Sequence, residues 1–100
     1  MRSSAAPGAL YGIAYEDAAL KFLEKSVRDG KIRGQIRRKV EALAADPLGQ
    51  GTKKLQNVTM SNGEPVYRAR SGDYRILFVV RTGPQQVIVL DIDNRKDVYR

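Results

Sequence analysis

The sequence predicts an α+β fold, an antiparallel β-sheet packed against an N-terminal helical hairpin, with elements in the order β-α-α-β-β-β. Three observations predict it. Apolar residues recur at helical spacing in two stretches between residues 16 and 46. Apolar and charged residues then alternate with period two on either side of Ser71-Gly72, and an apolar strand follows the turn signal Thr82-Gly83-Pro84. At 100 residues, the chain is long enough to close one modest core and too short for a second, so residues 1–100 are read as one domain.

Residues 1–8, rich in Ser, Ala, Pro and Gly, read as a loose lead-in. Leu10 to Tyr15 reads as a short strand, and Glu16-Asp17 puts acidic residues at a helix start, where they complement the helix dipole. Ala19, Leu20, Leu23 and Val27 form the apolar stripe of that helix, which Asp29-Gly30 is expected to end. A second helix carries Ile32, Ile36, Val40 and Leu43 on its buried side, and Asp46-Pro47 stops it. Lys31, Arg33, Arg37, Arg38 and Lys39 crowd the rest of its surface. That surface is either an ordinary solvated face or a second basic contact surface for RNA. Leu48 to Glu64, punctuated by Gly49, Gly51 and Asn62-Gly63, reads as a loop.

The hairpin that follows holds the most informative residues. With Ser71-Gly72 as a two-residue turn, Arg70 faces Asp73, Ala69 faces Tyr74 and Arg68 faces Arg75. Alternation then gathers Arg68, Arg70, Asp73 and Arg75 on one face, and Tyr67, Ala69, Tyr74, Ile76 and Phe78 on the other, which reads as core. A solvated strand face is the plain alternative. However, a directly opposed Arg68–Arg75 pair is destabilising unless an anion or a carboxylate lies between the two, which favours a site built for negative charge. In the next hairpin the loop length decides where Asp91 points. An odd loop, Thr82 to Gln86, puts Ile88, Leu90 and Ile92 in the core and sends Asp91, Asp93 and Arg95 to the arginine face, which spares the burial of a carboxylate.

Composition excludes several chemistries. The chain has no Cys and no His, so disulfides, thiolate metal sites and Ser-His or Cys-His catalysis are ruled out, and a metal would need carboxylates alone. No cofactor is expected, and acid–base work falls to Tyr, Lys, Arg, Asp or Glu. Formal net charge is +7, shared as +3 over residues 1–50 and +4 over residues 51–100, with a sequence pI near 10.0. That charge suits nucleic acid, a ribosomal surface or an acidic protein partner. The apolar run Ile76 to Val80 is far below the roughly 20 residues that span a bilayer, and with no export pattern at the N-terminus a cytoplasmic location is expected.

Tyr67-Arg68-Ala69-Arg70, then Gly72-Asp73-Tyr74-Arg75 leading into a β-branched and aromatic strand, then Asn94-Arg95-Lys96-Asp97-Val98-Tyr99, closely resembles the RelE/ParE superfamily of bacterial toxins. The resemblance takes in the first strand, the two helices and Lys53-Lys54-Leu55, nearly the whole chain, and the RelE-like branch fits it best. It implies a toxin of a type II toxin–antitoxin system that cleaves messenger RNA on the ribosome without a metal, because the nucleophile is the ribose 2′-hydroxyl of the substrate. By resemblance Arg75 holds the phosphate, Arg95 is the arginine near the C-terminal end, and Tyr99 stacks on a base or moves a proton. Lys53, Lys54, Arg68 and Arg70 guide RNA. The partners it implies are a cognate antitoxin on a separate chain, the ribosome and messenger RNA.

The chain departs from the family in two places. Arg68 and Arg70 stand where active relatives often have lysine, and an arginine can clamp a phosphate but cannot shed a proton. Asp93-Asn94-Arg95 replaces the frequent Gly-His-Arg, which leaves Tyr99, Asp91 and Asp93 as candidate bases. A carboxylate among arginines is a weak base, so Tyr99 stands first. The ParE branch, which poisons DNA gyrase, shares the framework including the strand arginine, and a catalytically inactive binding protein of the same fold is the third possibility.

Overall fold

A computed structural model of the chain describes residues 10–49 and 51–94. It contains β1 (Gly12–Tyr15), α1 (Asp17–Lys21) prolonged by one wider π-helical stretch (Phe22–Ser26), α2 (Gly30–Ala45), β2 (Lys53–Thr59), β3 (Pro65–Ser71), β4 (Tyr74–Thr82) and β5 (Gln85–Asn94). The five strands form one sheet in the order β1-β5-β4-β3-β2. Neighbours run antiparallel except β1, which lies parallel to β5 with Gly12 opposite Gln86 and Tyr15 opposite Val89. The α+β class with helices on one side of the sheet is as expected. The sheet is mixed, though, and has one strand more than the sequence reading supplied.

That extra strand is β2, inside the stretch read as a loop. Its sequence Lys-Lys-Leu-Gln-Asn-Val-Thr lacks the apolar alternation that announces a strand, because β2 is an edge whose residues are nearly all exposed. Asn57 has a positive φ of 61°, and the register with β3 slips between Lys54 and Thr59.

Helix packing follows the stripes. Ala19, Leu23 and Val27 from the first helical segment and Ile36, Val40 and Leu43 from α2 are buried against Ala69, Ile76, Phe78, Val87, Val89 and Ile92 of the sheet. Tyr67 stacks near Phe78, and Tyr74 meets Phe22 edge-on at 6.1 Å between ring centroids. Tyr67 and Tyr74 therefore both belong to the core face. Gly30 begins α2 instead of ending the first helix: the Asp29 carboxylate accepts from the Lys31 and Ile32 amides at 2.8 and 3.4 Å and caps the helix. The Arg33 guanidinium donates to the carbonyls of Val27 and Arg28, tying the two helical segments together.

The first hairpin turns one residue later than expected. Its loop is Gly72-Asp73, with Ser71 opposite Tyr74, Arg70 opposite Arg75 and Arg68 opposite Leu77. Gly72, at φ +59°, takes the first loop position, where a primed hairpin turn needs the left-handed backbone that glycine adopts without penalty. Each pairing moves by two residues, so side-chain alternation and both faces stay as predicted. The like-charged pair is Arg70–Arg75, not Arg68–Arg75.

The second hairpin corrects the odd-loop expectation. Thr82 pairs with Gln85 across a two-residue Gly83-Pro84 turn with a cis peptide bond, which puts Val87 and Val89 in the core and Ile88 on the opposite face. A β-bulge then intervenes: Phe78 faces Val89 but Leu77 faces Asp91, so Leu90 is the extra residue. The bulge resets the alternation, buries Ile92 and delivers Asp91 and Asp93 to the arginine face. The carboxylates arrive where burial cost requires them, through a different device from the one predicted.

Candidate functional site

The face of the sheet opposite the helices is divided along its length. Along β4 it shows Arg75, Leu77, Val79 and Arg81 in turn. A central apolar row crosses the sheet through Val66, Val79, Ile88 and Ala14, flanked by Leu55, Met60, Leu77 and Leu90. Charged groups lie at both ends.

The end near the first hairpin gathers the candidate site. Two rows run across the strands there, Lys53–Arg68–Leu77–Asp91 and Arg70–Arg75–Asp93. Strands lie about 4.8 Å apart and same-face residues along a strand about 6.7 Å apart, so the rows form one continuous patch. It is polarised: cations occupy β2 and β3, carboxylates occupy β5, and Arg75 stands at the boundary.

Lys39, Gly51, Lys53, Arg68 and Arg70 line an open cleft of about 250 Å³ at the cationic side. Four of the five are cationic side chains and none is acidic. Gly51, at φ +91°, lets the chain turn from α2 into β2 close to the lysine, and a β-carbon built there would lie 3.8 Å from Lys39 Nζ. Neither ion pair among the described residues involves Lys39, Lys53 or Arg68. Such a cleft suits a polyanion whose charges recur along a backbone.

Arg75 is held differently. Its Nε donates to Asp93 Oδ1 at 3.2 Å and its Nη2 to Asp93 Oδ2 at 3.0 Å, a two-pronged pair directly across the β4–β5 ladder. Both side chains are about a quarter exposed, at 25% and 23%, so solvent and solutes reach the pair. Asp93 supplies the carboxylate that an opposed Arg70–Arg75 pair requires. Beside it, the Asp91 carboxylate accepts from the Ile92 amide at 2.9 Å.

The structure thus brings together Lys53, Arg68, Arg70 and Arg75. Lys54, opposite Tyr67 and outside the cleft lining, is not among them. Arg95 and Tyr99 lie outside the described residues. Lys39 was missed as a site residue, since in the sequence it is one of five basic residues on a helix surface. Only recognition of β2 as a strand soon after the end of α2 would have signalled that α2 and the sheet edge meet there. Among the described residues no group of three carboxylates converges to hold a metal, and no helix is long and apolar enough to cross a membrane.

A second arginine fork lies at the far end of the same face. Arg81 donates from Nε to Glu64 Oε2 at 2.9 Å and from Nη2 to Oε1 at 3.0 Å, while Asn62 donates to Glu64 Oε1 and accepts from the Glu64 amide. Hydrogen bonds from Arg81 and then Asn62 hold the Glu64 carboxyl down at about 2.

A family model described as the ParE toxin of type II toxin–antitoxin systems, parDE, matches residues 13–99. No curated protein matches the sequence. Among solved structures, the chain resembles RelE in the archaeal RelE–RelB complex from Pyrococcus horikoshii OT3, with TM-score 0.69 and 21% identity over 86% of this chain and 96% of that one. Isolated Escherichia coli RelE toxin is similar at TM-score 0.65 and 24% identity, covering 89% and 90% of the two chains. The YoeB/ParE toxin from Agrobacterium tumefaciens is similar at TM-score 0.64 and 14% identity, covering 83% and 96%.

Proposed function

The chain belongs to the ParE toxin family of type II toxin–antitoxin systems, and we propose that within it the chain acts as a ribosome-dependent messenger RNA endonuclease. The observation that carries this reading is the cleft of Lys39, Lys53, Arg68 and Arg70 one residue pair away from Arg75. Such an arrangement suits a strand of RNA whose successive phosphates are gripped on the cationic side while one of them meets the Arg75 fork.

The chemistry requires little else from the protein. The ribose 2′-oxygen attacks the adjacent phosphorus, the new bond forms as the bond to the 5′-oxygen breaks, and a base takes the 2′-hydroxyl proton while an acid returns one to the leaving oxygen. Alignment and neutralisation of the crowded phosphate supply most of the rate, tasks that permanently charged arginines perform well. Arg75 and Arg95 stabilise the phosphate in this scheme, Tyr99 moves a proton or stacks on a base, and Lys53, Arg68 and Arg70 guide the strand. Lys54 contacts RNA from the rim.

The partner is a cognate antitoxin on a separate chain. The Pyrococcus horikoshii relative was solved as a complex with RelB, and a basic chain of net charge +7 suits an acidic segment that orders as it binds. A second reading has its own support: the matching family model carries the name of ParE, so poisoning of DNA gyrase is the rival activity. Primer extension on a reporter message in a bacterial translation extract separates the two. Cuts within codons that need both ribosomes and Arg75 are the expected result; intact message together with gyrase-dependent DNA breaks would transfer the assignment to the rival.

A further inference from the structure

Asp93 carries an inference that rests on the RNA-cleaving reading and deepens it. Three observations bear on the residue. It stands directly opposite Arg75, and its two oxygens take the Nε and Nη2 donors at 3.2 and 3.0 Å, the same fork that a phosphodiester would use. With Leu90 in the strand, the bulge is what resets the alternation of β5 and brings Asp93 to that position. The pair is also about a quarter exposed and borders a cleft lined by four cationic side chains, so a polyanion seated in the cleft has a direct route to it.

We propose that Asp93 is a specificity-determining residue that mimics the substrate phosphate, occupying the Arg75 fork until RNA seated along Lys39, Lys53, Arg68 and Arg70 displaces it. A carboxylate fixed on the neighbouring strand competes at high effective concentration, so an isolated phosphate in solution cannot win the fork. An RNA strand held at several points by the cleft presents its next phosphate at comparable effective concentration and can. Asp93 thereby sets a threshold that favours several phosphates in correct register over a stray anion. Removing its charge while keeping its shape lowers that threshold.

Asp91 is the internal control. It lies on the same face two residues away, so its removal changes the local field by one charge, but its carboxylate binds the Ile92 amide, whereas the Arg75 fork closes on Asp93. The test measures binding of a short single-stranded oligoribonucleotide carrying 2′-O-methyl groups, which cannot be cleaved, by fluorescence anisotropy with the full chain. Asp93→Asn is expected to bind about tenfold more tightly than the wild type, and Asp91→Asn less than about threefold. In an Arg75→Ala background the Asp93→Asn gain should fall to the level of Asp91→Asn.

Equal gains from the two asparagine variants, or a Asp93→Asn gain that survives loss of Arg75, would show a plain charge effect and overturn the proposal. Weaker binding by a folded Asp93→Asn protein would overturn it too, by making Asp93 a support for Arg75 instead of its competitor. Wild-type binding that depends on Arg68 with no response to Asp93→Asn defeats this inference and leaves the RNA reading standing. No binding by any variant defeats both.

Discussion

The two arginine forks at opposite ends of the outer sheet face have nearly the same geometry and different surroundings. Arg81 and Glu64 meet at 2.9 and 3.0 Å, Arg75 and Asp93 at 3.0 and 3.2 Å. Glu64 is also gripped by Asn62, its neighbour in the turn before β3, so that fork stitches a turn to β4. Asp93 lies on a regular ladder beside an opposed arginine and a four-cation cleft. The same bond is a fastening at one end and a contested contact at the other. What decides between them is whether a competing anion has somewhere to dock nearby.

Several changes would break or sharpen that contrast. Phe78 is fully buried under β4 between the forks, so Phe78→Ala should cost about 3–5 kcal/mol in urea unfolding and disturb both ends alike. Next in size is activity: Arg75→Ala should lower ribosome-dependent cleavage about 10²- to 10³-fold, as loss of a charge-stabilising donor does elsewhere. Arg81→Ala should leave cleavage within about twofold, since a surface change away from the site has little reach; equal losses from the two would erase the distinction between the forks.

Deleting Leu90 is a subtler probe. The deletion removes the extra residue and leaves Val89 opposite Phe78 and Asp91 opposite Leu77, so Asp93 keeps its place across from Arg75. Loss of its packing against the outer apolar row should cost about 2 kcal/mol, read from the urea midpoint, with oligonucleotide binding retained. The smallest effect concerns Glu64. Its folded pKa, about 2, lies below that of an unperturbed carboxyl, so its contribution is present at neutral pH and lost as pH falls from the ordinary carboxylate range towards 2. Glu64→Gln should therefore be slightly less stable at pH 7, with the difference from wild type closing in acid; a gap that persisted near pH 2 would deny the fork its ionic character.

Much of this was legible in the chain because it depends on alternation. Period two alone places Tyr67, Ala69, Tyr74, Ile76 and Phe78 in the core and Arg68, Arg70 and Arg75 on the other face, and shifting the turn by one residue leaves both faces intact. Register was harder. The choice between Arg68 and Arg70 as the partner of Arg75 hangs on whether Gly72 is the first or the second residue of the turn. The Leu90 bulge has no local signature, since nothing in Val-Ile-Val-Leu-Asp marks which residue is extra. Lys39 illustrates the remaining gap: its place in the cleft depends on an edge strand whose exposed, polar sequence looks like loop.

The parallel contact between β1 and β5 joins residues near the two ends of the described chain, Gly12 with Gln86 and Tyr15 with Val89. Pairings so distant in sequence form late and slowly, because the intervening chain must be closed first. During synthesis β1 and the first helix must therefore wait for residues 85–94 before the sheet edge and the floor of the core exist. Asp93 arrives with that same strand. A growing polypeptide that has made both helices and most of its cations still lacks the strand that organises them, so completion of the sheet waits on β5.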